Sequence, residues 1–155
     1  MMAAITLKLS QGNLRKLRRK LRVMGPKVRT AVQRVVKVSA VNLQRIAKKN
    51  LSRSIGKDLE APPSKTTGRL ISSVIFDFTL DGLIADVGSN VEYSKFVEFG
   101  TGRRGSEGQH PPLPVDYAHG SVAGMTAKPY LFPSFEEESP KFLKALSRAV
   151  KVKLK

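Results

Sequence analysis

The chain contains no cysteine and no tryptophan, and its first 57 residues hold no acidic and no aromatic side chain. Without cysteine there is neither a disulfide framework nor thiolate chemistry, which suits a reducing interior or an assembly held by packing alone. Without aromatics in residues 1–57, base stacking is impossible there, and any nucleic-acid contact must run through phosphates. No apolar run approaches the roughly 18 residues that a membrane-spanning helix requires. The opening MMAAITLKLSQG has no apolar stretch behind a charged leader and is not expected to act as a secretory signal. A mitochondrial leader is also basic and acid-poor, but the helical pattern here runs far past a removable segment.

What the chain has in excess is positive charge. Of 155 residues, 28 are Lys or Arg and 12 are Asp or Glu, a net charge of +16. Residues 1–57 carry 16 of the basic residues, whereas residues 58–155 carry 12 basic and 12 acidic. The whole excess therefore lies in the first third, which points to an anionic partner, either nucleic acid or an acidic protein surface. A hydrophobic content of 41% is ordinary for a globular chain, and at this length about two-thirds of the unfolded surface can be buried. A single domain is expected over residues 26–155, preceded by a basic extension at 1–25.

Residues 4–9 alternate apolar and polar and suit a short strand. Leu14, Leu17, Leu21 and Met24 then recur at helical spacing, with Arg15, Lys16, Arg18, Arg19, Lys20 and Arg22 between them. Gly25-Pro26 punctuates, and Pro26 is placed for a helix's first turn. A long helix is expected from 26 to about 52. Val28, Val32, Val35, Val36, Leu43, Ile46 and Ala47 share one face, and Lys27, Arg34, Lys37, Arg45, Lys48 and Lys49 share another. Like charges three or four residues apart repel by a few tenths of a kcal/mol per pair, so this acid-free face implies an anionic neighbour. Val38 and Val41 fall near the basic face, either as scattered exposed valines or as a subunit contact.

Residues 53–65 read as a loop containing Pro62-Pro63, after which Thr66 or Thr67 can cap a short helix through Leu70 to Val74. Strands at 74–80 and 83–89 are expected to meet at a two-residue Asp81-Gly82 turn, with Asp77, Asp81 and Asp86 mostly in solvent. Tyr93, Phe96, Val97 and Phe99 return to helical spacing, and Gly100 can end that turn. Residues 101–126, rich in glycine and proline, form a long loop of the kind that is functional or mobile. A closing helix carries Phe135, Phe142, Leu146 and Val150 as an apolar stripe, Pro133 in its first turn, and Glu136, Glu137 and Glu138 toward the positive end of its dipole. Pro140 is expected to kink this helix or to mark its true start, with Ser139 as cap. The fold class is α+β: a long basic amphipathic helix, a small antiparallel β-sheet with a hairpin, and a C-terminal helix.

Catalytic constellations are missing. His110 and His119 lie nine apart in the loop, and a zinc site needs three or four convergent ligands, so both read as solvated; no metal or cofactor is expected. No Gly-x-Ser-x-Gly elbow occurs. Gly100-Thr-Gly-Arg-Arg-Gly105 matches a dinucleotide fingerprint by letter, but the prolines that follow forbid the required helix. Asn50-Leu51-Ser52 is a formal glycosylation sequon inside an expected helix. The chain is not expected to be an enzyme.

Two segments carry a family likeness: Tyr93-Ser-Lys-Phe-Val-Glu-Phe-Gly-Thr101, and Ala127-Lys-Pro-Tyr-Leu-Phe-Pro-Ser-Phe135 followed by acidic residues and a helix. In this order, on either side of a variable loop, they resemble the bacteriophage tail-component family typified by gene product ten of a lambda-like coliphage. The layout is similar over roughly residues 26–150. The resemblance implies an α+β subunit at the head–tail junction of a long-tailed phage, completing the tail or joining it to the head. It implies a ring of copies around the DNA channel, expected to be a hexamer, with neighbouring neck and tail proteins and non-specific DNA contact as further partners and no membrane. The place it implies is the virion, assembled in the host bacterial cytoplasm.

The motif residues carried over are Tyr93, Phe96, Val97, Glu98, Phe99, Gly100 and Thr101, with Pro129, Tyr130, Leu131 and Pro133. Tyr93, Phe96 and Phe99 are expected to pack with Tyr130, Phe132 and Phe135, pinning the two ends of the loop. Glu98 and Thr101 are the candidates for subunit contacts. Arg15, Arg18, Arg19, Arg22, Lys27, Arg34, Lys37, Arg45, Lys48 and Lys49 would face the DNA channel or an acidic partner. The runner-up is a free nucleic-acid-binding protein acting through phosphate contacts, and a hydrolase has only the loop histidines and aspartates behind it.

Overall fold

The computed structural model describes residues 25–55, 65–101 and 124–153. The expected strand at 4–9, the basic stretch at 14–24 and most of the long loop lie outside them. Helix α1 spans Pro26–Ile55. Pro26 opens it, and the Gly25 carbonyl accepts from the amides of Val28 and Arg29 at 3.0 and 3.1 Å. No glycine or proline follows Pro26 within the helix, and it continues three residues beyond the expected end. Val28, Val32, Val36, Ile46 and Ala47 are buried as their spacing requires, and Ala40 and Leu51 complete the row.

Helix α2 (Lys65–Ser73) starts before the threonines expected to cap it, so neither is the residue that precedes the helix. It ends at Ser73, whose hydroxyl bonds the Leu70 carbonyl and the Ser89 hydroxyl, both at 2.7 Å. Strands β1 (Val74–Thr79) and β2 (Ile84–Ser89) pair antiparallel, with Thr79 opposite Ile84. The connection is therefore Leu80 to Leu83, four residues rather than the two expected. Leu80, Asp81 and Gly82 all adopt positive φ, at 50°, 55° and 79°, a region uncommon for residues other than glycine. The reason lies on α1: Arg29 pairs with the Asp81 carboxylate, and the Gln33 amide donates to the Asp81 carbonyl at 2.6 Å. These contacts hold the hairpin tip against the helix and override the local preference of Asp-Gly.

The hairpin's inner face, including Val74, Phe78, Ala85 and Val87, packs toward α1. Its outer face carries Asp77 and Asp86, exposed as the alternation predicts. A short helix α3 (Ser94–Phe99) follows and stops at Gly100, whose φ of 72° and amide bond to the Phe96 carbonyl at 2.8 Å end the turn. The closing helix α4 spans Leu131–Lys153 without interruption. Pro140 neither starts nor divides it, and Ser139 is not its cap. The start is set nine residues earlier, at Leu131, by a contact described below. The lost amide of Pro140 falls on an exposed position, where the freed carbonyl one turn back can meet water.

Helices α1 and α4 run antiparallel. Val28, Val32 and Val36 pack against Phe142, Leu146 and Val150, while Asn50 at the other end reaches Ser134. Phe135, expected on the same apolar stripe, is instead 41% exposed. A second cluster joins Ala47 and Leu51 to Leu70, Val74, Val91, Tyr130 and Leu131. That cluster draws on every helix layer and on both halves of the family likeness.

Candidate interaction surface

The two motif segments meet at one joint. Glu98 is 0% exposed, and its two oxygens accept three backbone amides at the start of α4. Oε2 takes Tyr130 and Leu131 at 2.8 and 3.0 Å, and Oε1 takes Phe132 at 2.9 Å. No acidic residue occupies α4's own first turn, so a carboxylate 32 residues back in the chain supplies the negative charge that this helix end prefers. Glu98 was a candidate subunit contact; the structure corrects that, because both its oxygens are committed inside the molecule. Glu136, Glu137 and Glu138, assigned to the helix dipole, stand in the second turn.

Main-chain pairing joins the two described ends of the segment between Thr101 and Met125. Thr101 and Met125 exchange two backbone bonds at 2.8 and 3.0 Å, and the Met125 amide also reaches Thr101 Oγ1 at 2.9 Å. Lys128 donates its amide to the Val97 carbonyl at 2.8 Å. The expected aromatic clasp is only half present. Phe99 and Tyr130 are buried and Tyr93 packs on the core, but Phe96 is 40% exposed. Backbone bonds and one carboxylate tie the two motif segments together instead. Ser89, Ser94 and Ser134, which carry no signal in the sequence, and Asn50, notable there only as part of a formal sequon, complete the joint: Asn50 donates to Ser134 Oγ at 2.9 Å, and Ser134 donates to the Tyr130 carbonyl.

The Tyr130 hydroxyl bonds Ser94 and Ser89, and burial together with the nearby Glu98 carboxylate pushes its pKa up from 10.0 to about 12. Because the folded value lies above the unfolded one, stability should be constant below pH 10 and fall as pH rises from about 10 to 12. Tyr130→Phe is expected to shrink that alkaline loss by about 2 kcal/mol in urea titrations. An unchanged alkaline limb in the variant would assign it to other groups.

On α1, Lys27, Arg34, Lys37, Arg45 and Lys49 are exposed, and Lys48 is half-buried. Arg15, Arg18, Arg19 and Arg22 lie outside the described residues. Helix α4 adds exposed Lys144, Arg148 and Lys151, so the basic surface extends over both helices of the pair. It is not unbroken. Glu137 bonds Lys141 at 2.8 Å, and its carboxyl is held below the usual range by Lys141, with Lys49 and Arg45 of α1 also contributing. Where α1 ends, an open groove of about 890 Å³ is lined by Asn50, Arg53, Met125, Lys128, Pro129 and Pro133, among others. Among the described residues no group of three His, Cys, Asp or Glu could hold a metal ion, and no helix is long and apolar enough to cross a membrane.

No curated protein and no solved structure matches the chain. A family model, that of the bacteriophage HK97-gp10 tail-component, matches residues 8–100. The match takes in α1, the hairpin and the Glu98 segment, which is well over half of the chain, and stops short of α4. A basic two-helix surface, a joint built from the Val-Glu-Phe-Gly-Thr segment and this family match lead to one conclusion: the chain belongs to the HK97-gp10-like family of phage tail components.

Proposed function

We propose that this tail component works at the head–tail junction, completing the tail or joining it to the head as one subunit of a ring around the DNA channel. The observation that carries this reading is the basic surface shared by α1 and α4 in a chain of a tail-component family. Its partners are copies of itself, six to a ring, and the neighbouring neck and tail proteins, with phosphate-driven contact to phage DNA. The extension at 1–25 and the loop at 101–126 supply contacts particular to this phage. Its role is structural, with no chemistry performed, and its place is the virion. The acid-free first third supports a second reading, a free nucleic-acid-binding protein.

The deciding experiment is electron microscopy of particles from a phage lacking this gene. DNA-filled heads beside unattached or aberrant tails are expected. Normally joined virions would sink the junction role and favour the second reading.

A further inference from the structure

Two surface features are each unfavourable in an isolated copy. On the outer side of α1, Arg34, Val38, Val41 and Arg45 follow at steps of four, three and four, and so form one stripe. Val38 and Val41 are 55% and 50% exposed, and no acidic residue occurs in the helix. Phosphates gain nothing from valine, whereas an apolar centre with a charged rim is the anatomy of a protein contact. On the outer face of the hairpin, Asp77 and Asp86 stand directly opposite one another, both exposed, with Ile75 and Ile84 on the same face. Like charges paired across two strands repel, and among the described residues neither aspartate has an ion pair.

The hairpin's inner face packs on the buried side of α1. The acidic face and the valine stripe of one molecule therefore look in different directions and cannot meet within it. We propose that they meet between molecules: the valine stripe of one copy seats on the aspartate face of the next. The proposal rests on the ring reading above and names its subunit contact. Such a contact removes both strains together, because the arginines that flank the valines carry long, forked side chains able to reach the central carboxylates. A two-fold pairing of α1 with α1 would instead oppose the arginines of one copy to the cations of the next, since neither helix carries an acidic residue. Since the two patches differ, the contact is head-to-tail and repeats from copy to copy until a ring closes.

The test is complementation of a phage lacking this gene by full-length variants supplied from a plasmid, read as infectious yield. Arg34→Glu with Arg45→Glu, and separately Asp77→Lys with Asp86→Lys, should each lower the yield at least about 100-fold, on the scale of two lost charge pairs at about tenfold each. All four positions are exposed, and unchanged thermal melts of the purified variants check that folding is kept. Combining the four reversals rebuilds the pairs with opposite polarity and should recover the yield to within about tenfold of wild type, the signature of direct coupling. A combination as defective as its parents overturns the contact. So do hairpin reversals without effect beside crippling α1 reversals, which would assign the stripe to DNA or to a different protein. A phage that stays infectious without the gene overturns the junction role itself.

Discussion

Glu98→Ala is expected to remove about 4 kcal/mol of stability, from three charge-assisted hydrogen bonds worth about 1.5–3 kcal/mol each before partial rehydration. The amides of Tyr130 and Leu131 are buried, so water does not reach them freely once the carboxylate is gone. For a chain of this size that loss corresponds to a melting temperature lower by about 10 °C or more. It would consume much of the 5–15 kcal/mol that separates a typical domain from its unfolded state. Glu98→Gln keeps the shape and one acceptor oxygen while turning an NH2 toward an amide, and should cost about half as much. Thermal melts followed by circular dichroism check both. A loss below about 1 kcal/mol for the alanine variant would mean that the helix start finds other partners.

Raising salt from 50 to 200 mM should weaken binding of the free chain to duplex DNA by about a thousandfold, the figure for roughly six neutralised phosphates. Six is the number of exposed or half-buried Lys and Arg that the sequence assigns to one face of α1, from Lys27 to Lys49. With no aromatic residue in the first 57, stacking cannot add a salt-independent share. Fluorescence anisotropy on two unrelated duplexes of equal length should show equal affinities and the same slope. Tight binding that persists at 200 mM salt, or a clear preference between the duplexes, would move the protein toward the free nucleic-acid-binding reading.

The periodic parts of this fold were legible from letters alone. Val28, Val32 and Val36 at steps of four announce the buried row of α1, and the alternation around Asp77 and Asp86 announces the hairpin. Family letters at Glu98 to Thr101 and at Pro129 to Pro133 pointed to the joint without revealing its wiring. A glutamate reads the same whether it faces solvent or accepts three amides, and Glu98's partners lie 32 to 34 residues away. One hint was present: Pro129-Tyr130 opens α4 with no Ser, Thr, Asp or Asn at the cap position, so the cap had to come from elsewhere. The hairpin turn departs from the Asp-Gly expectation for a related reason, since Arg29 and Gln33, about fifty residues from Asp81, hold it. Pro140 shows the limit of a local rule, because a helix already started at Leu131 and packed along α1 passes through an exposed proline.

The clasp between Thr101 and Met125 has an evolutionary corollary. Both strands of chain leave the body at one point, joined there by backbone bonds that no side-chain change between them can remove. A segment that adds no packing of its own can be lengthened between such ends at about 0.6 kcal/mol of closure entropy for each doubling. Selection can therefore rewrite that stretch, or graft a foreign sequence into it, while the helix pair and its joint stay as they are, so host- and neighbour-specific fitting can evolve there at a pace the rest of the chain cannot follow.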